Sequence, residues 1–332
     1  MKRKLFPICY GTALVLFTTY ISLDTFVLRR SYQTDTTQMN TAMFEVLETT
    51  QHVTEPQTTT ELQTETEMQT ETELQTETET APQTETETQT EPETEAASAA
   101  DGQAQITLTE YYEYNTRIYV ADVVLPSAQY LKTAFAEDTY GRNITAKTSE
   151  IAAAHNAVFA INGDYYGAHE HGYVIRNGIM YRDVRGSNDV LCIFADGTMQ
   201  VFSPDDYTAQ ELVDMGVWQA FSFGPGLLAD GQITVTTDQE VSRAMASNPR
   251  TAIGQISANH FIFVVSDGRT QESAGLSLYE LAEFMQGLGV TTAYNLDGGG
   301  SSAMYYNGQI VNKPTTNGEI RERGVSDIVY IG

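Results

Sequence analysis

An apolar run leads into Asn295-Leu296-Asp297-Gly298-Gly299-Gly300-Ser301-Ser302. Three consecutive glycines open backbone conformations closed to other residues and let a ligand approach the main chain. The N–H groups of such a turn can form a concavity that holds an anion. Ser301 and Ser302 add hydroxyl donors, and Asp297 sets a carboxylate at the rim. A flexible Asp-Gly loop is the plainer reading. Loops of that kind seldom join two apolar strands through three glycines, so the segment reads as functional. A second strand end carries Ile161-Asn162-Gly163-Asp164-Tyr165-Tyr166-Gly167, followed by Arg176-Asn177-Gly178. Asn-Gly and Gly-Asp are common turn pairs. Together, however, Asn162, Asp164, Tyr165 and Tyr166 offer the amide, carboxylate and aromatic faces that bind a sugar.

Cations complete the set. Arg250 precedes an apparent strand, and Arg323 lies in Arg321-Glu322-Arg323-Gly324-Val325-Ser326-Asp327. An arginine at a loop–strand junction can grip a phosphate through two parallel hydrogen bonds. Taken singly, each could instead be a surface ion pair in an acidic protein. His169-Glu170-His171 would put two imidazoles on one face of a strand, but no third metal ligand is evident. Cys192 reads as a core residue, and Phe223-Gly224-Pro225 as a rigid turn able to line a cleft. No Gly-x-Ser-x-Gly elbow, phosphate-binding Walker loop or zinc-protease helix is present.

These residues need a frame. Thr116 to Leu125, Ala157 to Ile161, Thr292 to Leu296, Ala303 to Tyr306 and Ser326 to Ile331 read as strands. Leu191–Phe194 with Met199–Phe202, and Thr251–Ile256 with Phe261–Val265, read as hairpins. Ser149 to His155 reads as a short helix. Leu278, Leu281, Ala282, Met285 and Leu288 form one helical apolar stripe, opened by the capping pair Ser277 and Glu280. Strands outnumber helices and the hairpins are local. The expected class is α+β, one globular domain on mixed or antiparallel sheets with flanking helices.

The chain has 332 residues with a net charge of −26, which disfavours nucleic acid as a partner. Residues 41–100 hold fifteen Glu and no Asp, Lys or Arg. Repeats such as Leu62-Gln63-Thr64-Glu65-Thr66-Glu67 cannot bury enough apolar surface to offset ordering. Residues 31–100 are therefore expected to form a disordered stalk. Before it, Lys2, Arg3 and Lys4 precede an apolar run from Leu5 to Leu23. At 1.5 Å rise per residue that run spans roughly 29 Å, about a hydrocarbon core. With no small-residue cleavage site at its end, it reads as a membrane anchor over residues 1–30 rather than a cleaved signal peptide. The flanking charges would place the N-terminus inside and the domain of 101–332 outside the cell. The two cysteines, Cys9 and Cys192, lie in different segments and exclude a disulfide framework.

The ordered series Ile161-Asn162-Gly163, Arg176-Asn177-Gly178, Phe223-Gly224-Pro225, Pro249-Arg250-Thr251-Ala252-Ile253-Gly254, Asp267-Gly268, Asn295 to Ser302, Val311-Asn312-Lys313-Pro314 and Glu322 to Asp327 resembles the phosphodiester glycosidase family. The likeness covers about 150–332 and is thinner over 101–150. It implies hydrolysis of a sugar-1-phosphodiester between the anomeric carbon and the phosphate oxygen, in cell-envelope or exopolysaccharide glycans. The phosphate leaving group needs charge stabilisation more than protonation, a task for Arg250, Arg323 and the turn of Gly298, Gly299 and Gly300 with Ser301 and Ser302. The oxocarbenium-like centre needs a carboxylate and an activated water or nucleophile, with Asp297 and Asp164 as candidates whose roles stay interchangeable. Asn162, Tyr166 and Arg176 complete the expected substrate contacts, and the reaction requires no cofactor. Two alternatives stand beside it. One is a non-catalytic glycan-binding or envelope-assembly module. The other is a metal-dependent hydrolase using Asp164, His169 and Asp297.

Overall fold

A computed structural model describes residues 5–32, 94–98, 104–239 and 247–332. The chain divides into one unit of residues 1–40 with 92–332 and a second of 41–91, which lies outside the described residues. Among the described residues three large antiparallel sheets and two two-stranded ones build the first unit. The largest has eight strands, and its central members are Thr292–Asn295, Thr251–Ser257, His260–Ser266 and Thr116–Val124. A second has five strands centred on Phe159–Asn162 and Asp327–Ile331. The third, also of five, contains the Val190–Phe194 and Met199–Phe202 hairpin with Val217–Phe221, Val174–Arg176 and Ile179–Arg182.

Alternation along each strand explains the layering. In Thr116–Val124, Tyr119, Ala121 and Val123 enter a core shared by all three sheets, where they join Phe159, Leu191 and Tyr294. Ile118 and Val120 point the other way, toward the Leu278–Gly287 helix. His260–Ser266 divides likewise, with Phe261 and Phe263 in the shared core and Ile262 and Val264 under the helix. A side-chain period of two feeding two apolar layers requires both faces of the sheet to be covered. The outer face of the second sheet is covered by Thr148–Ala154, through Ile151 and Ala152. That of the third is covered by Ala209–Asp214, through Leu212 and Val213.

The expected helix and hairpins are present, with ends shifted by a residue or two. Ser277 caps Leu278–Gly287 by accepting from the Glu280 N–H at 3.1 Å, and the Glu280 carboxylate returns the bond to the Ser277 N–H at 2.8 Å. Several strands of the third sheet are too short and too mixed in composition to stand out in the sequence.

The expected membrane anchor is not supported. Leu5–Phe26 is a helix of 22 residues, but among the described residues no helix is long and apolar enough to cross a membrane. After the helix, Arg30–Ser31 pairs with Gly141–Arg142, and the Tyr32 N–H donates to the Tyr140 carbonyl at 3.0 Å. Most of the expected stalk lies outside the described residues. Its Thr94–Ser98 portion forms the edge strand beside Gln105–Glu113.

Leu281 is fully buried beneath the large sheet. Leu281→Ala should lower unfolding stability by about 2–5 kcal/mol, the usual result of removing a core leucine, with urea denaturation as the measurement.

Candidate functional site

Two strand ends from different sheets meet beside one cleft. Phe159–Asn162 exits the second sheet, and Thr292–Asn295 exits the large one. The Asn162 amide, wholly buried, joins them. Its Nδ2 donates to the Asp297 carbonyl at 2.6 Å, and its Oδ1 accepts from the Thr251 hydroxyl at 2.8 Å and the Ala303 N–H at 3.3 Å. Asn162 therefore shapes the site rather than facing a ligand.

The turn after Asp297 is pinned on its other side. A Cβ at Gly298 would lie 2.9 Å from the Pro249 carbonyl oxygen, and Gly299 has φ +62° with Arg269 packed against it. Few of its N–H groups are left for an anion. Gly299 donates to Pro249, and Ser301 and Ser302 donate back to Gly298 and Gly299. The glycines serve close packing, and the positive charge beside the turn comes from side chains.

Those side chains are three arginines. Arg250, Arg269 and Arg323 line a pocket of about 170 Å³ with Asp297, Gly298, Gly299 and Gly300, walled by Tyr165 and Phe223. Arg250 is buried and donates through Nε to the Leu276 carbonyl at 2.8 Å. Arg269 is held by Asn248 Oδ1, which accepts from its Nε at 3.1 Å and its Nη2 at 2.7 Å. Arg323 pairs with Asp297 Oδ2 at 3.0 Å and donates from Nε to the Ser301 hydroxyl at 3.0 Å. Burial pushes the Asp297 carboxyl up, while Arg323 and the Ser301 hydroxyl draw it back down. Ser301 thus orients Arg323, and Ser302 is buried away from the pocket.

Tyr165 and Phe223 also border a larger cleft of about 460 Å³, lined by His169, His171, Asn188, Asp189, Ser222 and the Gly224-Pro225 turn among others. Burial, with His171 beside it, pushes the His169 imidazole down. Among the described residues no three His, Cys, Asp or Glu side chains gather as a metal site.

Asp164, Arg176 and Tyr166 lie elsewhere than the sequence placed them. Asp164 is 3% exposed. Its Oδ1 accepts from Arg176 Nη2 at 2.9 Å and the Tyr166 N–H at 3.1 Å, and its Oδ2 from the Ser222 N–H at 3.1 Å. Arg176 is also buried and donates from Nε to Asp327 Oδ2 at 2.8 Å. Its guanidinium sits 4.1 Å from the Phe221 ring centroid. Tyr166 stacks on Tyr140 and is buried, and the aromatic facing the cleft is its neighbour Tyr165. One arginine between two buried carboxylates leaves a negative excess. Burial pushes the Asp327 carboxyl up to about 7, with Arg176 opposing and Asp164 and Asp297 adding to the rise.

Two functional positions escaped the sequence reading. Arg269 follows the Asp267-Gly268 turn, and the pairing of Thr251 with Val265 brings it to the same sheet end as Arg250. That register was the available signal. Asp327 reads in sequence as the second residue of a strand, and only the fold sets it against Arg176.

The fold is shared with solved structures. The catalytic domain of zebrafish N-acetylglucosamine-1-phosphodiester alpha-N-acetylglucosaminidase, auto-inhibited by its pro-peptide, is 22% identical with a TM-score of 0.55. That match covers 72% of this chain and 87% of that one. A hypothetical protein from Synechocystis is 14% identical with a TM-score of 0.56, over 73% of this chain and 64% of that one. The phosphodiester glycosidase family model matches residues 155–332, and the chain belongs to that family. Among curated relatives, the SPbeta prophage-derived uncharacterized protein YomE of Bacillus subtilis (strain 168) is 27% identical over 215 residues, covering 62% of this chain and 31% of that protein. The mouse N-acetylglucosamine-1-phosphodiester alpha-N-acetylglucosaminidase is 42% identical over 66 residues, covering 20% of this chain and 13% of that protein. The chain spans less than a third of the length of these curated relatives.

Because the unfolded chain releases the Asp327 proton near pH 4 and the native state near 7, this group's stabilising contribution is complete below pH ~4 and is lost as pH rises through ~7. Wild type should therefore lose melting temperature relative to Asp327→Asn between pH 5 and pH 8. Parallel curves in a thermal scan series would contradict the assignment.

Proposed function

We propose that this chain hydrolyses a sugar-1-phosphodiester of a cell-envelope or exopolysaccharide glycan, releasing free sugar and a phosphomonoester. One observation carries the reading. Asp297 and the guanidinium groups of Arg250, Arg269 and Arg323 line one small pocket that shares Tyr165 and Phe223 with a larger polar cleft. The arginines suit a phosphate whose negative charge grows as the C1–O bond breaks, and interactions that strengthen in the transition state lower the barrier. The larger cleft, with Tyr165 and Phe223 at its mouth and Asn188, Asp189 and Ser222 within, suits a sugar ring and its hydroxyls. Asp297 lines the small pocket, which borders the larger cleft at Tyr165 and Phe223. Ionised, and held by Arg323, it can steer water to the anomeric carbon or attack it directly. Asp164 has all its acceptors engaged below the cleft and takes no reacting role in this scheme. The family membership supports the reaction class.

The purified chain, given a UDP-sugar or another sugar-1-phosphodiester, should release free sugar and phosphomonoester. Asp297→Asn should lower kcat/KM by about 10²–10⁴, the usual contribution of a positioned acid or base. Absence of turnover by wild type across several such substrates would sink the proposal.

Arg323→Gln removes a cation that holds the Asp297 carboxyl down. The acid limb of its pH–rate profile should move to higher pH, and an unmoved limb would show that Asp297 does not set it.

A further inference from the structure

The buried Asp164–Arg176–Asp327 group touches neither part of the cleft directly, yet its bonds end on the cleft's walls. Asp164 accepts from the Tyr166 N–H and the Ser222 N–H, 3.1 Å each. Tyr165 and Phe223, the two side chains common to both parts of the cleft, are next in sequence to those donors. On the other side, the Asp327 carbonyl accepts from the Gly163 N–H at 3.0 Å. A Cβ at Gly163 would fall 2.4 Å from Asp327 Oδ1, so the two segments interlock. Asn162, the preceding residue, holds the carbonyl of Asp297. Arg176 ties both carboxylates together from a strand of the third sheet.

We propose that Asp164, Arg176 and Asp327 form a positioning element that fixes Tyr165 and Phe223, and hence the distance between the sugar-binding wall and Asp297. This rests on the proposed reaction and assigns residues that act through others, not on substrate. The element is sensitive to its own charge. Asp327 faces Arg176 on its strand, Asp164 and Tyr166 in the loop after Asn162, and Asp297 after Asn295. With both carboxylates ionised, one guanidinium serves two anions. Among the described residues Asp327 Oδ1 has no hydrogen-bond partner. A lone buried ionised oxygen is costly, so ionisation of Asp327 loosens the element.

Asp164→Asn keeps the shape but replaces one acceptor by a donor. Whichever way the amide turns, either Ser222 or the Arg176–Tyr166 pair faces an N–H instead of an oxygen. KM for the sugar-1-phosphodiester should rise about tenfold while kcat falls less than about threefold, the signature of lost binding geometry. Amide hydrogen exchange should quicken at 163–166 and 222–223 while the Leu278–Gly287 helix keeps its protection. For wild type, KM should rise as pH passes through ~7. In Asp327→Asn, which has lost the titrating carboxyl, it should not. A uniform loss of protection across the domain, an unchanged KM in Asp164→Asn, or the same KM–pH curve in both proteins would overturn the proposal. Should wild type show no turnover, the functional reading fails, and the exchange pattern alone still decides whether the element positions the walls.

Discussion

The site depends on one buried amide. Asn162 spends both its oxygen and its nitrogen holding the turn of one sheet against the strand end of another. Inside a protein an unpaired amide is expensive, so the geometry is over-determined. Shifting the Asp297 turn away would leave the Asn162 nitrogen only the neighbouring Gly163 carbonyl, and shifting the Thr251 strand would leave its oxygen only the Ala303 N–H. Each alternative costs polar desolvation with no new partner. Strands set the coarse positions of Asp297 and Tyr165, and this amide sets the fine one.

Two charge clusters with opposite balance flank that amide. Below it, one arginine serves two carboxylates in a dry interior. Above it, three arginines share a pocket with one carboxylate. The lower cluster is closed, with the Arg176 donors turned on its two carboxylates and on the backbone. The upper one is open at Arg323, whose side chain is 48% exposed, while Asp297 is only 14% exposed. Under the proposed function, the open cationic pocket receives the phosphate of the substrate.

Much of this was legible before the fold was known. The glycine turn, Asp297, Arg250 and Arg323 stood out because three glycines and a cation at a strand start are unusual outside functional loops. The Leu278–Gly287 helix was legible because its stripe and cap agree. Asp164, Arg176 and Tyr166 carried equally strong chemical types, but their destination was set by burial, which residue type does not encode. Arg176 shows why. A guanidinium reads as a phosphate ligand in sequence, yet between Asp164 and Asp327, with Phe221 against its face, it is a structural cation. Arg269 failed in the opposite direction, since its partners in the pocket come from strands paired only in three dimensions.

The most direct test is a crystal structure of Asp297→Asn with an intact sugar-1-phosphodiester. The account places the phosphate among Arg250, Arg269 and Arg323. It puts the sugar ring between Tyr165 and Phe223, with its anomeric carbon about 3–3.5 Å from the residue 297 side chain. A phosphate lodged instead among His169, His171 and Asp189, with the three arginines untouched, would contradict it.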